Sequence, residues 1–386
     1  MATIFLPNII EVGARASTLI PNILHTLNLT KPLIITDPGM VAMGYARRLQ
    51  DSLIAAHFVV DMFADCVPDP TTEAISNAVS CWNAGDYDCL VALGGGSSID
   101  TAKAASVIAM HGGHLRQYKA PNPVPKGFPV IAIPTTAGTG SEVTRVTVVT
   151  DSETQEKMMC LGQGLLPVAA LVDYELTLSM PFRLTADTGL DTLCHAMEAY
   201  VSKKANRFTD DIALACLRSV AVHLETACNN PENQAAREAM MLAATQGGIA
   251  FSNASVTLIH GMSRPLGAFF HIPHGMSNAM LLPLITRYSI PGATTRYAEC
   301  ARMMKMADPA ASDAEACERL VKTLSDLCIA LKVPTLQSFG VDKEQYFETL
   351  EIMAEQALAS GSPSNNPVVP SKDEILMLYR QLWSEH

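Results

Sequence analysis

Three histidines and one carboxylate stand out for what they can do together. They lie in two distant segments, Thr185-Ala-Asp-Thr-Gly-Leu-Asp191-Thr-Leu-Cys-His195 and His260-Gly-Met-Ser-Arg264-Pro-Leu-Gly-Ala-Phe-Phe-His271-Ile-Pro-His274. Positions i and i+4 share one face of a helix, so Asp191 and His195 can grip one ion together. His260 and His274 complete a four-ligand oxygen and nitrogen set. Without a thiolate, that set suits iron(II) or zinc. A cation held this way polarises a substrate oxygen, which points to an enzyme. Taken singly, each residue has a plainer reading: a polar helix pair, a buried histidine before the helix-ending pair Arg264-Pro265, a loop residue after Pro273. His271 invites a role as fifth ligand. A catalytic site keeps one position open for substrate, so His271 reads as a pocket or surface residue.

A second kind of chemistry lies nearer the N-terminus. The run Leu93-Gly94-Gly95-Gly96-Ser97-Ser98 follows an apolar strand-like stretch and opens a helical one. Glycines let the backbone approach a ligand closely, and the helix start offers free N–H groups to a pyrophosphate. The spacing is not G-x-G-x-x-G, so a standard Rossmann fingerprint is absent. A second polar loop, Pro134-Thr135-Thr136-Ala137-Gly138-Thr139-Gly140-Ser141, can supply hydroxyls and N–H groups to the same ligand. Asp37 ends another apolar run, where a carboxylate accepts from ribose hydroxyls and repels a 2′-phosphate, favouring NAD over NADP. The triplet Asp37-Pro38-Gly39 also makes a plain turn.

These residues need a framework. Apolar runs at 32–36, 57–63, 89–93 and 129–133 read as strands, with helical patterns at 41–56, 71–83 and 97–110 between them. Strand–helix alternation implies a parallel sheet covered on both faces. Beyond about residue 180 the 3.6-residue period dominates, with the stripe Leu190, Cys194, Met197 and Val201 beside Asp191 and His195. We therefore expect an α/β nucleotide-binding domain over 1–180, Rossmann-like with a parallel sheet, and an all-α metal-binding domain over 181–386. The segment 360–370 reads as a surface loop before a last helix.

Composition narrows the function classes. Among 386 residues 48% are apolar and 17% charged, the balance of a folded globular chain. The net charge of −11 and the lack of any Lys/Arg cluster argue against nucleic acid or an anionic membrane as partner. No apolar run has the length of a bilayer span, and the first residues lack a signal-peptide pattern. Ten cysteines without framework spacing read as reduced thiols of a cytoplasmic protein.

Four stretches carry a resemblance to a known family: GGGSSIDTAK at 94–103, IPTTAGTGSEVT at 133–144, TGLDTLCHAMEAY at 188–200 and GAFFHIPHGMSNAMLLP at 267–283. In order and spacing the chain resembles the iron-containing (group III) alcohol dehydrogenases. The resemblance implies a two-domain protein with its active site in the intervening cleft, typically cytoplasmic and often dimeric or of higher homo-oligomeric order. It implies hydride transfer between a small primary alcohol or aldehyde and NAD, with Fe2+, or Zn2+ in its place, held by Asp191, His195, His260 and His274. It assigns cofactor contact to Asp37, Gly95, Gly96, Ser97, Thr135, Thr136, Thr139 and Lys157, and the substrate pocket to Phe251. Two positions depart from the family pattern. Arg264 replaces a histidine that many relatives carry, and a guanidinium near the metal favours a substrate bearing an anionic group. Asp69 stands where some relatives have asparagine between two prolines. The competing reading is an NAD- and metal-dependent lyase or synthase of the related dehydroquinate-synthase type; a non-catalytic metal- or nucleotide-binding protein is a third.

Overall fold

A computed structural model describes residues 2–154 and 156–384. The chain divides into two compact units, Thr3–Met180 and the residues from Pro181 onward.

In the first unit six parallel strands form one sheet, and they come from near-continuous apolar runs, as expected where both faces are covered. In chain order these are β1 (Ile9–Val12), β2 (Pro32–Ile35), β3 (Asp61–Phe63), β4 (Cys89–Gly94), β5 (Val130–Pro134) and β8 (Ala169–Val172); between the last two lies the antiparallel hairpin of β6 (Val146–Thr150) and β7 (Lys157–Leu161). The helices are α1 (Ile20–Thr26), α2 (Pro38–Ala42), α3 (Tyr45–Ala55), α4 (Thr72–Asn83) and α5 (Gly96–His111). The period of two sorts each strand's side chains onto two cores. Leu33, Ile35, Leu90 and Ala92 pack with Ile75 and Trp82 of α4 and Ile99 of α5. Ile34, Val91, Leu93 and Ile133 pack on the other face with Leu24 of α1 and Leu49 and Leu53 of α3.

The sheet order is β1-β8-β5-β4-β2-β3. From β2 the chain moves outward to β3, then returns to place β4 on the opposite side of β2. The strand order therefore reverses between β2 and β4. In open α/β sheets a crevice forms at that reversal, beyond the carboxyl ends of the strands. Asp37 follows β2 and Gly95 follows β4, so topology brings both to this crevice.

Four strands expected from sequence become six because β1 and β8 are short runs whose pairing partners lie elsewhere in the chain. The helix expected over 41–56 is two, parted at Gly44, which has φ +75°. The strand expected to begin at 57 starts at Asp61. His57 adopts φ +66°, with its N–H on Ile54 O and that of Phe58 on Leu53 O, so residues 57 and 58 close α3 in a Schellman cap.

The second unit contains helices and no strand among its described residues: α6 (Phe182–Val201), α7 (Arg207–Asn229), α8 (Gln234–Asn253), α9 (Leu258–Phe270), α10 (His274–Ser289), α11 (Thr294–Met303), α12 (Asp313–Ala330), α13 (Leu336–Phe339), α14 (Lys343–Ala359) and α15 (Lys372–Ser384). α6 is the central helix, buried almost continuously from Thr185 to Val201. Two expectations are corrected. Arg264-Pro265 does not end α9, which continues to Phe270; burial of Leu266 and Gly267 outweighs the lost hydrogen bond at proline. The segment 360–370 is not simply a surface loop. Asn366 is fully buried and donates to Ser289 Oγ and Val368 O, while Asn365 donates to Ser255 Oγ.

Candidate active site

α6, α9 and α10 bring the four sequence-predicted ligands together. One ligand atom from each of Asp191, His195, His260 and His274 lies within 4.8 Å of all the others. From Asp191 Oδ1 the Nε2 atoms of His260, His195 and His274 are 3.4, 3.7 and 3.8 Å away. Four ligands about 2.0–2.2 Å from a tetrahedral cation stand about 3.3–3.6 Å from one another, so the spacing fits a transition-metal ion. Burial acts to raise the Asp191 carboxyl, but the imidazoles of His195, His274 and His260 outweigh it and hold Asp191 well below the usual carboxylate range. Three ligand side chains are almost wholly buried, whereas His274 is 39% exposed, so the set is open on the His274 side.

The rings are fixed by packing and by hydrogen bonds. Phe251 of α8 stacks on His195 at a centroid distance of 4.3 Å, and His195 stacks on His260 at 4.6 Å. His260 Nδ1 donates to Glu198 Oε2 at 2.5 Å, leaving Nε2 toward Asp191. Burial lowers the pKa of His260, yet Glu198 and Asp191 raise it further, to about 9. A cation at Nε2 competes with that proton. Ser263 Oγ lies 3.3 Å from His274 Nδ1. Asn278 Nδ2 donates to Asp191 Oδ1 at 2.7 Å and lies 3.1 and 3.3 Å from the Nε2 atoms of His260 and His274.

Neither Glu198 nor Asn278 was singled out from sequence. Each repeats the helical spacing of a ligand that was: Glu198 is seven residues after Asp191 and three after His195, and Asn278 is four after His274. Arg264 lies one turn after His260 on α9, half-buried. Burial pushes its guanidinium down to about 10, with Glu198 opposing. His271 is exposed and caps α9 in the left-handed region, φ +53°.

In the first unit the two polar loops meet at the strand reversal. Asp37 caps α2 by accepting from Met40 N at 3.1 Å, and its other oxygen accepts from Ser98 Oγ at 3.2 Å. Thr135 N donates to Gly94 O at 3.0 Å. A Cβ on Gly96 would lie 2.8 Å from Thr139 Cγ2, and one on Gly95 would lie 3.3 Å from Thr136 Cγ2, so glycine at 96, and less strictly at 95, lets the first loop approach the second this closely. α5 starts after Gly95 with no side chain capping it, and Ser97 lies in its first turn. Thr135 Oγ1 is buried and has no hydrogen-bond partner among the described residues, as expected of a group whose acceptor or donor is a ligand. The Lys157 ammonium pairs with Asp69 Oδ1 at 3.0 Å, on the first residue of β7.

The second loop is fastened from behind by residues that sequence reading passed over. Buried Lys103 of α5 donates to Ser141 Oγ, Thr144 O, Thr144 Oγ1 and Val146 O at 2.9–3.1 Å. Asp100 accepts from Ser141 Oγ at 2.6 Å and Val148 N at 2.9 Å. Burial lowers the Lys103 ammonium to about 8, with Asp100 and Glu142 opposing.

A parallel nucleotide-type sheet in one unit and an Asp/His3 cluster in the other, helical unit define a class, and comparison with known proteins agrees. The chain belongs to the iron-containing alcohol dehydrogenase family: residues 7–174 match "Iron-containing alcohol dehydrogenase" and residues 185–383 match "Fe-containing alcohol dehydrogenase family, C-terminal". It is thus an enzyme of the alcohol and aldehyde oxidoreductases, and the lyase or synthase reading is not favoured. Among its relatives is the NAD-dependent methanol dehydrogenase of Bacillus methanolicus, 33% identical over 98% of this chain and 99% of that one. A solved 1,3-propanediol oxidoreductase superposes with TM-score 0.94 at 32% identity, covering 99% of this chain and all of that one. Sulfoacetaldehyde reductase from Bifidobacterium kashiwanohense, solved with NAD+, superposes with TM-score 0.89 at 29% identity over the full length of both. No helix among the described residues is long and apolar enough to cross a membrane. All ten cysteines are free thiols.

Proposed function

We propose that the protein is an NAD-linked, iron(II)-dependent alcohol dehydrogenase that also runs as an aldehyde reductase, acting on a small primary alcohol in the cytoplasm as a homodimer or higher homo-oligomer. The observation that carries the reading is the convergence of Asp191, His195, His260 and His274 at the spacing of one cation's ligands. When bound, the cation supplies Lewis-acid charge to an alcohol or carbonyl oxygen and NAD supplies the hydride chemistry.

The chain's own residues do the rest. The four ligands hold the cation, and Phe251 keeps the His195 ring in plane while walling the substrate pocket. Partial exposure of His274 leaves a way in for substrate, with exposed His271 at the rim. Gly95, Gly96 and Ser97 at the start of α5 cradle the pyrophosphate, Thr135, Thr136 and Thr139 offer hydroxyls, and Lys157 reaches the ribose from its pair with Asp69. Asp37 accepts from ribose hydroxyls and repels a 2′-phosphate. Arg264 extends the choice of substrate to alcohols carrying a carboxylate or sulfonate. The sulfonated-aldehyde name of one structural neighbour agrees with this reading.

The test is a substrate screen on protein stripped of metal, then loaded anaerobically with iron(II) or zinc, with NAD and NADP in parallel. NADH formation from a primary alcohol, abolished by chelation and restored by iron(II), is expected. Failure of iron-loaded protein to reduce NAD with any alcohol sinks the reading. In the same screen, Arg264→Ala is expected to lower the rate on a hydroxy acid relative to a matched neutral alcohol; an unchanged ratio removes Arg264 from substrate choice.

A further inference from the structure

Glu198 is a buried carboxylate that the chemistry above leaves unused. It lies on the same face of α6 as Asp191 and His195, yet it meets the cluster from behind: it contacts His260 at Nδ1, not at the nitrogen facing the other ligands. Its second oxygen accepts from Thr257 Oγ1 and from Ile259 N, each at 2.7 Å. Thr257 is the N-cap of α9 but makes no capping hydrogen bond of its own. Glu198 therefore fills that vacancy from another helix, taking an N–H that the first turn of α9 leaves unpaired. A carboxylate fully buried between helices is costly unless donors surround it, and here three do.

We propose that Glu198 is a positioning residue that sets how tightly this site holds its cation. It fixes His260 with the proton on Nδ1 and the Nε2 lone pair toward Asp191, and its charge raises the basicity of that lone pair. A carboxylate behind a metal-binding imidazole is worth about tenfold to a hundredfold in metal affinity. Glu198 also pins the start of α9 to α6, so the helix carrying His260 and the helix carrying Asp191 are registered by one side chain. This inference rests on the metal-site reading, and the experiment separates the two.

Zinc affinity is measured by competition with a chromophoric chelator, and apo-protein stability by thermal unfolding, for wild type, Glu198→Gln, Thr257→Val and His260→Ala. Glu198→Gln keeps an acceptor of the same shape without charge. It is expected to melt near wild type, bind zinc about tenfold or more weakly, and shift the visible bands of the cobalt(II) protein. Thr257→Val, which loses the hydroxyl donor to Glu198 Oε1 but keeps the Ile259 N and His260 Nδ1 contacts, is expected to lower apo stability while leaving zinc affinity within about twofold. Wild-type zinc affinity and cobalt spectrum in Glu198→Gln overturn the proposal, and so does a Thr257→Val variant that weakens zinc as much. If His260→Ala binds zinc as well as wild type, the metal-site reading itself has failed. Nitrogen-15 histidine spectra of the zinc-loaded wild type give a check that needs no variant: His260 is expected to carry its proton on Nδ1, and a proton on Nε2 overturns the assignment.

Discussion

Gly275→Ala puts the metal site's construction to a test in which two effects compete with opposite signs. Gly275 is the second residue of α10, directly after His274. Helix propensity alone favours alanine there by about 1 kcal/mol. A Cβ at this position would lie 2.3 Å from Asp187 O and 2.8 Å from Asp187 C. An ordinary carbon–oxygen contact is about 3.3 Å, so α10 must retreat by about 1 Å. The obstacle is the backbone of α6 one turn before Asp191, which cannot swing aside as a side chain can. Overpacking of this kind costs about 1–3 kcal/mol, which cancels or exceeds the propensity gain. The larger consequence falls on geometry. His274 retreats with α10 from Asp191 Oδ1, now 3.8 Å from its Nε2. Sites tolerate about 0.5 Å of misplacement, and 1 Å costs on the order of a hundredfold in rate. We expect an apo melting temperature equal to or below wild type, weakened zinc binding in chelator competition, and turnover reduced about a hundredfold. A variant that is more stable than wild type and fully active refutes the argument that this close approach registers His274 against Asp191.

Two further outcomes bear on the nucleotide unit. Asp37→Asn keeps the cap on Met40 N, since asparagine caps as well as aspartate, but removes the charge facing a 2′-phosphate; the NADP-to-NAD rate ratio is expected to rise about tenfold with little change in melting, and a constant ratio removes Asp37 from cofactor choice. Lys103→Met leaves Asp100 buried without its cation and frees the second loop, so urea unfolding is expected to show a loss of about 3–5 kcal/mol; a loss below about 1 kcal/mol contradicts the fastening role. The same residue has a pH signature. Its folded pKa of about 8 lies below its ordinary value of 10.5, so between these the unfolded chain binds a proton that the folded chain does not. The Lys103 contribution to stability therefore rises with pH across that window and is flat below it. Subtracting the Lys103→Met profile from wild type isolates that slope, and a difference that falls or stays level from pH 8 to 10 is inconsistent with a buried ammonium.

Residue type and local spacing were enough to pick out Asp191 and His195 on one helical face, the glycine run that opens α5, and the strands of 32–35, 89–94 and 130–134, because helix faces, tight turns and strand burial are properties of neighbours in the chain. The pair His260 and His274 was legible for its chemistry, but not the distance between them. Local signals also misled. Arg264-Pro265 looks like a helix end until Leu266 finds its place in the core, and residues 57–60 look like a strand until His57 closes the preceding helix. What packing alone decided lies between residues far apart. Glu198 meets His260 across 62 positions and Asn278 meets Asp191 across 87, and no period in the sequence encodes either encounter. The pairing of β1 with β8, and the reversal that brings Asp37 beside Gly94, were settled in the same way. A chain specifies its donors and its turns locally. Convergence of those donors on one point follows from burying several helix faces at once, and only the folded protein carries that out.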